Sequence, residues 1–139
     1  MNYVVYAVVA LVAYSIVPPL ISLATEEIPS NTAALISNGV LVVVALAAVL
    51  YAGEWDTSHL TGRHALYVYV AGVALAVGIL AYYRALELGP VSVVVPIFGM
   101  FIVGSAAVGV AFLDESLTAR KVVGVALAVV AVYLVSVES

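Results

Sequence analysis

Five long apolar runs, separated by short polar clusters, constrain this sequence more than any other feature. The runs cover about residues 2–23, 31–52, 64–86, 90–112 and 119–137. A helix needs about 20 apolar residues to cross a bilayer core, and each run has that length, the fifth only just. Because 66% of the residues are hydrophobic and only 9% are charged, little of the chain remains outside the membrane. An ordinary globular domain and a disordered chain are both excluded.

Helices rather than strands account for these runs. Valine triplets at 42–44 and 93–95 would favour strands in water, but both lie inside runs of spanning length. Lipid requires backbone groups to pair within a helix or a closed barrel, and the alternation typical of barrel strands is missing. The sequence therefore predicts an all-α, multi-pass transmembrane helix bundle of five transmembrane helices, with residues 1–139 forming one repeat.

The polar clusters between the runs contain residues that typically begin and end helices. Ser30 and Asn31 are expected to cap the second helix. Gly89 and Pro90 end the third helix and place a proline in the first turn of the fourth. The turn 114–118 ends the fourth helix and offers Thr118 as the cap of the fifth. Consecutive helices are therefore expected to be antiparallel neighbours.

The charged residues argue against one class of partner and indicate how the chain is inserted in the membrane. The net charge of −4 argues against a nucleic-acid partner, because phosphate binding needs a basic surface. The loops on the N-terminal side contain Arg63, Arg120 and Lys121, and the opposite side contains Arg84 alone. This bias favours a cytoplasmic N-terminus, although it is small enough to allow mixed insertion. We expect a multi-pass protein of the cell membrane in contact with lipid.

The centres of all five runs lack Asp, Glu, Lys and Arg. This argues against a channel with a charged selectivity ring and against a buried carboxylate that exchanges protons. No catalytic constellation and no phosphate-binding loop are present, and His59 and His64 do not have the spacing of metal ligands. The chain contains no cysteine. We therefore expect no enzymatic activity, no cofactor and no metal site.

Uncharged polar residues cluster in the first span, where Tyr14, Ser15, Pro18 and Pro19 lie close together. Tyr14 and Pro18 share a face at helical spacing. The two prolines lack backbone donors, which frees the carbonyls of Tyr14 and Ser15. The cluster either lines a pocket or forms a structural kink in which Tyr14 bonds to a neighbouring helix.

The second and fourth spans contain the remaining candidate residues. Asn38 must face the bundle because an amide in lipid needs a partner, either as a link between helices or as a contact to a solute. Pro96 lies one turn before Met100, and Ser105 follows. Broken helices near the midplane form the binding sites of many transporters; the alternative is a packing kink. Tyr14, Ser15, Pro18, Asn38, Pro96, Met100 and Ser105 are the candidate pathway residues.

The second half of the chain resembles a known family. Residues 82–97, YYRALELGPVSVVVPI, are similar to the junction of the third and fourth helices in the EamA-type repeat of the drug/metabolite transporter superfamily. Residues 112–118, FLDESLT, resemble the turn after the fourth helix of that repeat, and residues 124–132 resemble its glycine-led fifth helix. The similarity covers residues 64–136, whereas the first two spans match only in length, spacing and hydropathy.

The resemblance implies a transporter. Family members commonly have two five-helix repeats and move small metabolites or drugs by alternating access. A chain with one repeat would need a second copy in the opposite orientation, because five is odd, or a differently oriented paralogue in a heterodimer. The related small multidrug-resistance proteins have a glutamate in the middle of the first helix, where this chain has Tyr14, so proton-coupled export by that group is not implied. The alternative function is a membrane assembly or interaction subunit that does not transport.

Overall fold

The computed structural model describes residues 2–112 and 118–137 of the chain. In this part there are no strands, and the chain forms six α-helices and one 3₁₀ turn at Thr57–Leu60. The α-helices are α1 (Tyr3–Ala24), α2 (Ser30–Ala52), α3 (Arg63–Leu88), α4 (Val91–Gly99), α5 (Phe101–Phe112) and α6 (Ala119–Val137). The all-α prediction is confirmed.

Four segments in the described residues are long and apolar enough to cross a membrane: α1, α2, α3 and the combined segment Val91–Phe112. Helix α6 has 19 residues, or about 28 Å at 1.5 Å per residue, close to the thickness of a hydrocarbon core. Only 6% to 11% of the residues in the most apolar stretch of each of the four segments are buried. Their side chains therefore face surroundings other than this chain, as expected for helices in lipid.

Residues up to Leu88 form one compact unit, in which α1 and α2 both pack against α3. Most of its buried residues lie at one end, where α1 ends, α2 begins and α3 ends. This packed end consists of Pro18, Ile21, Thr25, Ser30, Ala33, Ala34, Tyr82, Tyr83 and Leu86. By contrast, residues 3–16, 39–48 and 66–78 are exposed throughout, so the three helices contact one another mainly at the packed end.

The loop between α2 and α3 is folded against α3. Gly53 ends α2 in the left-handed conformation, with φ of 68°, which favours glycine. The carboxylate of Asp56 accepts a 2.8 Å hydrogen bond from the backbone N–H of Ser58 at the start of the 3₁₀ turn. The hydroxyl of Tyr69 donates to the carbonyl of Leu60 at 2.9 Å. The Tyr69 bond attaches the turn to the first half of α3, and the Asp56 bond orders the start of the turn itself.

Residues from Gly89 onward form the second compact unit, in which α4 and α5 both pack against α6. The hydroxyl of Thr118 accepts a hydrogen bond from the backbone N–H of Lys121 at 3.3 Å, as the sequence predicts for the cap of this helix. The remainder of the predicted turn, residues 113–117, lies outside the described residues.

Two predicted helix starts are wrong in detail. Ser30 is already the first residue of α2, and the cap position is Pro29, whose side chain makes no hydrogen bond to the helix. Instead, the carboxylate of Glu87 on α3 accepts hydrogen bonds from the hydroxyl and the backbone N–H of Ser30. Pro90 is the cap residue of α4 rather than a member of its first turn. The orphan N–H groups at a helix start need a partner, and at α2 that partner comes from another helix.

Candidate solute pathway

Helix α1 continues without interruption through Pro18 and Pro19. A proline lacks the N–H that would bond the carbonyl four residues earlier, so the carbonyls of Tyr14 and Ser15 receive no such bond. The hydroxyl of Ser15 donates to the carbonyl of Leu11 at 2.7 Å. Backbone acceptors are therefore available at this level of α1, whereas the Ser15 proton is used within the helix.

Tyr14 lies in the middle of α1, as the twelfth of its 22 residues. Its side chain is 70% exposed, and its hydroxyl bonds no neighbouring helix within the described residues. Tyr14 is about 16 Å from the start of the helix at 1.5 Å per residue, too deep for the phenol to reach the membrane surface. A hydroxyl left without a partner in hydrocarbon is unfavourable, so this face of α1 needs a polar neighbour from outside the unit or from a solute.

Asn38 is half-buried on α2, and its amide donates to the carbonyl of Ala34 at 2.8 Å. The link between helices is made by the preceding residue. The hydroxyl of Ser37 lies 3.1 Å from the hydroxyl of Tyr83 on α3, and Ser37 also contacts the carbonyl of Ala34 at 3.3 Å. Tyr83 could not be identified as the partner from the sequence, because nothing in its spacing shows which helix faces it.

The fourth predicted span is broken at Met100, which separates α4 from α5. Pro96 removes one helical hydrogen bond, and the N–H of Met100 bonds the carbonyl of Ile97 at 3.1 Å, a three-residue turn rather than a four-residue one. The regular ladder resumes at Val103 and Gly104, which both bond Met100. The break is at the tenth of the 22 residues from Val91 to Phe112, close to the middle of the span.

Aromatic side chains lie on both sides of this break. The rings of Phe98 and Phe101 are 5.4 Å apart between centroids, within the range of favourable ring pairs. Met100 and Pro96 are half-buried, whereas Ser105 is exposed one turn after the break. The second unit thus places three of the candidate residues within three helical turns of one another.

The structure does not join the candidate residues by direct polar contacts. Ser15 and Asn38 each bond a carbonyl of their own helix. Pro18 is buried at the packed end. The candidates therefore form two groups, one in each unit: Tyr14, Ser15, Pro18 and Asn38 in the first, and Pro96, Met100 and Ser105 in the second.

Ionised side chains lie away from the middle of the helices in the part of the chain that the structure describes. Within the described residues, Asp, Glu, Lys and Arg lie in loops or in the first or last two turns of helices. Arg84 and Glu87, three residues apart on α3, form an ion pair with each other. In the α2–α3 loop, hydrogen bonds from the backbone N–H and hydroxyl of Ser58 hold the pKa of Asp56 below its usual range. The central groups offer hydroxyl, amide, carbonyl and aromatic contacts without formal charge.

Comparisons with known proteins point to a family of membrane transporters. The sequence profile of the EamA-like transporter family matches residues 1–137. A Sinorhizobium sp. protein described as an uncharacterized transporter in the cobO 3′ region is 39% identical over 101 residues, 72% of this chain and 72% of that protein. The equal shares mean that the two proteins have about the same length. No solved structure matches.

Proposed function

The chain belongs to the EamA-like transporter family, and from this premise we propose that it supplies half of a solute pathway that a second five-helix chain completes. It is a multi-pass membrane transporter. The finer proposal is alternating access: the pathway opens to one side of the membrane and then to the other. The proposed solutes are small metabolites or drug-like molecules, since the central contacts are polar but uncharged.

The break at Met100 carries this proposal. A continuous helix satisfies its own backbone groups, whereas a break near the bilayer centre frees some of them, and irregular backbone is tolerated there only in protein or in a water-filled cavity. Transporters build their sites at such discontinuous helices. The half-buried Met100 and the nearby Phe98–Phe101 pair would provide an adaptable apolar wall beside the freed backbone.

The exposure of α1 supports a second chain. Residues 3–16 are exposed along the whole segment, and the hydroxyl of the exposed Tyr14 bonds no residue in the part of the chain that the structure describes. Lipid satisfies the apolar side chains but not the hydroxyl. A partner chain with an aqueous or solute-filled pathway would satisfy both. Because five spans place the two termini on opposite sides, an inverted pair needs either two orientations of this chain or a paralogue.

Cysteine accessibility tests alternating access directly, because the natural chain has no cysteine. Ser15→Cys and Ser105→Cys place a thiol in each candidate group, and Ala74→Cys is the mid-span control on α3. An impermeant maleimide is applied from either side of membrane vesicles. We expect both pathway thiols to be labelled to completion from either side and the control to stay unlabelled. Pathway thiols as inert as the control would refute the proposal.

A variant with a continuous fourth span tests whether the break at Met100 belongs to the pathway. Pro96→Ala restores a backbone donor to α4 and should extend regular helix through the break. We expect the protein to remain folded while labelling of Ser105→Cys slows from at least one side. Unchanged labelling from both sides would mean that the break has no part in the pathway.

Orientation and assembly are tested separately. A thiol at Ser58→Cys in the exposed α2–α3 loop reports which way each molecule is inserted. Labelling of about half the molecules from each side is expected for an inverted homodimer, whereas one-sided labelling would exclude it and leave the heterodimer. Native mass spectrometry from gentle detergent should show twice the 14.4 kDa chain mass; a protein that is strictly monomeric would overturn the homodimer.

A further inference from the structure

A groove of about 290 Å³ runs between α5 and α6 in the second unit. It lies outside the candidate pathway residues. The residues that line it are Ile102, Ala106 and Val110 on α5 and Lys121, Gly124, Val125 and Ala128 on α6. The groove is therefore apolar except for one lysine.

Small residues keep this groove open. Ala106, Gly124 and Ala128 have no side-chain atoms beyond Cβ, and a Cβ added at Gly124 would meet no atom within 4 Å. The α5 side follows every fourth residue from Ile102 to Val110, about 12 Å along the helix. The space is thus a slot that extends from near the centre of the span towards one membrane boundary.

Lys121 lies at the boundary end of the slot, as the third residue of α6. This position in the first helical turn puts its ammonium at the depth of lipid head groups, and lysine side chains near helix ends extend towards that interface. Lys121 has a further interaction within the chain. A head-group phosphate would be an additional partner for this side chain, whose ammonium carries three N–H donors.

We propose that this groove binds an anionic phospholipid, with an acyl chain in the slot and the head-group phosphate at Lys121. The pairing follows from the arrangement of charge and shape: an apolar slot ends in a cation at head-group depth, and an anionic lipid has both parts in the same order. Basic pockets between transmembrane helices bind such head groups. A helix from a second copy would fill the slot with apolar side chains but would bring no anionic group to Lys121.

Native mass spectrometry with two lipids of identical chains tests the head group. The probes are dioleoyl phosphatidylglycerol and dioleoyl phosphatidylcholine, added to the purified protein. We expect about a fivefold preference for phosphatidylglycerol, the ratio that about 1 kcal/mol from one interfacial lysine gives. Lys121→Met should abolish the preference. The matched control is Arg120→Met, which removes the neighbouring charge outside the groove and should leave the preference unchanged.

Filling the groove tests the slot independently of charge. Gly124→Leu adds a side chain into open space, so the protein should fold, and we expect it to lose the bound lipid. Gly72→Leu on α3, where a Cβ also meets nothing within 4 Å, should keep it. The proposal would be overturned if Lys121→Met and Arg120→Met lost the preference for phosphatidylglycerol equally. It would also be overturned if inorganic phosphate displaced the lipid, or if Gly124→Leu still bound it. If Gly124→Leu formed less dimer but kept the preference for phosphatidylglycerol, the groove would be assigned to a second copy and the lipid site would be refuted.

Discussion

Removing the hydroxyl of Ser37 should destabilise the protein more than removing that of Tyr83, although both belong to one 3.1 Å hydrogen bond. Ser37 has a second contact at the carbonyl of Ala34, so Tyr83→Phe leaves no orphan group. Tyr83 is only 4% exposed, and its hydroxyl has no other partner within the described residues. Ser37→Ala therefore leaves a buried hydroxyl unsatisfied.

The magnitudes follow from this asymmetry. Tyr83→Phe should cost about 0.6 kcal/mol, the average for a hydrogen bond between membrane helices. Ser37→Ala should cost about 2 kcal/mol for the orphaned hydroxyl, the middle of the range for such groups, less about 0.5 kcal/mol because alanine is the better helix former. The net cost of about 1.5 kcal/mol exceeds that of Tyr83→Phe. Adding Tyr83→Phe to Ser37→Ala removes the orphan, so the double variant should be more stable than Ser37→Ala alone.

The free energy of unfolding can be measured by thiol protection in mixed detergent micelles. Ala33→Cys places a single thiol at the packed end, where Ala33 is 5% exposed, and its labelling rate in rising dodecyl sulfate reports opening. Ser15→Ala is the matched control, since the Ser15 hydroxyl bonds only its own helix, and it should change stability by less than about 0.5 kcal/mol. A Ser37→Ala protein at least as stable as Tyr83→Phe, or a double variant less stable than Ser37→Ala, would show that the Tyr83 hydroxyl does not depend on Ser37.

Three further predictions concern helix ends and the loop. Glu87→Gln should accelerate amide exchange in the first turn of α2, because it weakens the contact to Ser30; unchanged exchange would show that α2 needs no cap from α3. Thr118→Ala should cost about 1 kcal/mol and fray the start of α6 in amide exchange, whereas Thr118→Ser should retain the cap. Because the pKa of Asp56 is lowered in the folded protein, its carboxylate stabilises the loop at neutral pH, and this stabilisation is lost as the pH falls below about 4 and through the lowered pKa. Proteolysis of the α2–α3 loop should therefore accelerate below about pH 4. Asp56→Asn should remove this pH dependence.

The helices were predictable because lipid leaves few alternatives. Spanning length predicted the five apolar segments, of which the fourth is divided into α4 and α5. Thr118 was identified as a cap because its partner lies three residues away. Pro96 similarly indicated the break at Met100, since the missing N–H is a local property. These features depend on separations of a few residues, which the sequence shows directly.

The contacts between helices were not predictable in the same way. Asn38 was the expected polar residue of α2, but its amide bonds its own helix and Ser37 reaches α3. The N-terminus of α2 is bonded by Glu87, 57 positions after Ser30. Which of two adjacent polar residues faces a neighbour depends on helix rotation, and a uniformly apolar helix has no marked face from which to read that rotation.

The distribution of packing in the first unit also bears on how a transporter of this size would change shape. Lipid provides no hydrophobic drive between helices, so association depends on close packing and hydrogen bonds, and both are concentrated at the packed end through Ala33, Ala34 and the Ser37–Tyr83 bond. Residues 3–16 of α1 are exposed throughout and contribute little to holding the unit together. Alternating access requires two arrangements of similar free energy. A unit that is packed at one end and open along the rest would meet that requirement more readily than one with a continuous core, because contacts from the proposed second chain would then set the balance between the two arrangements.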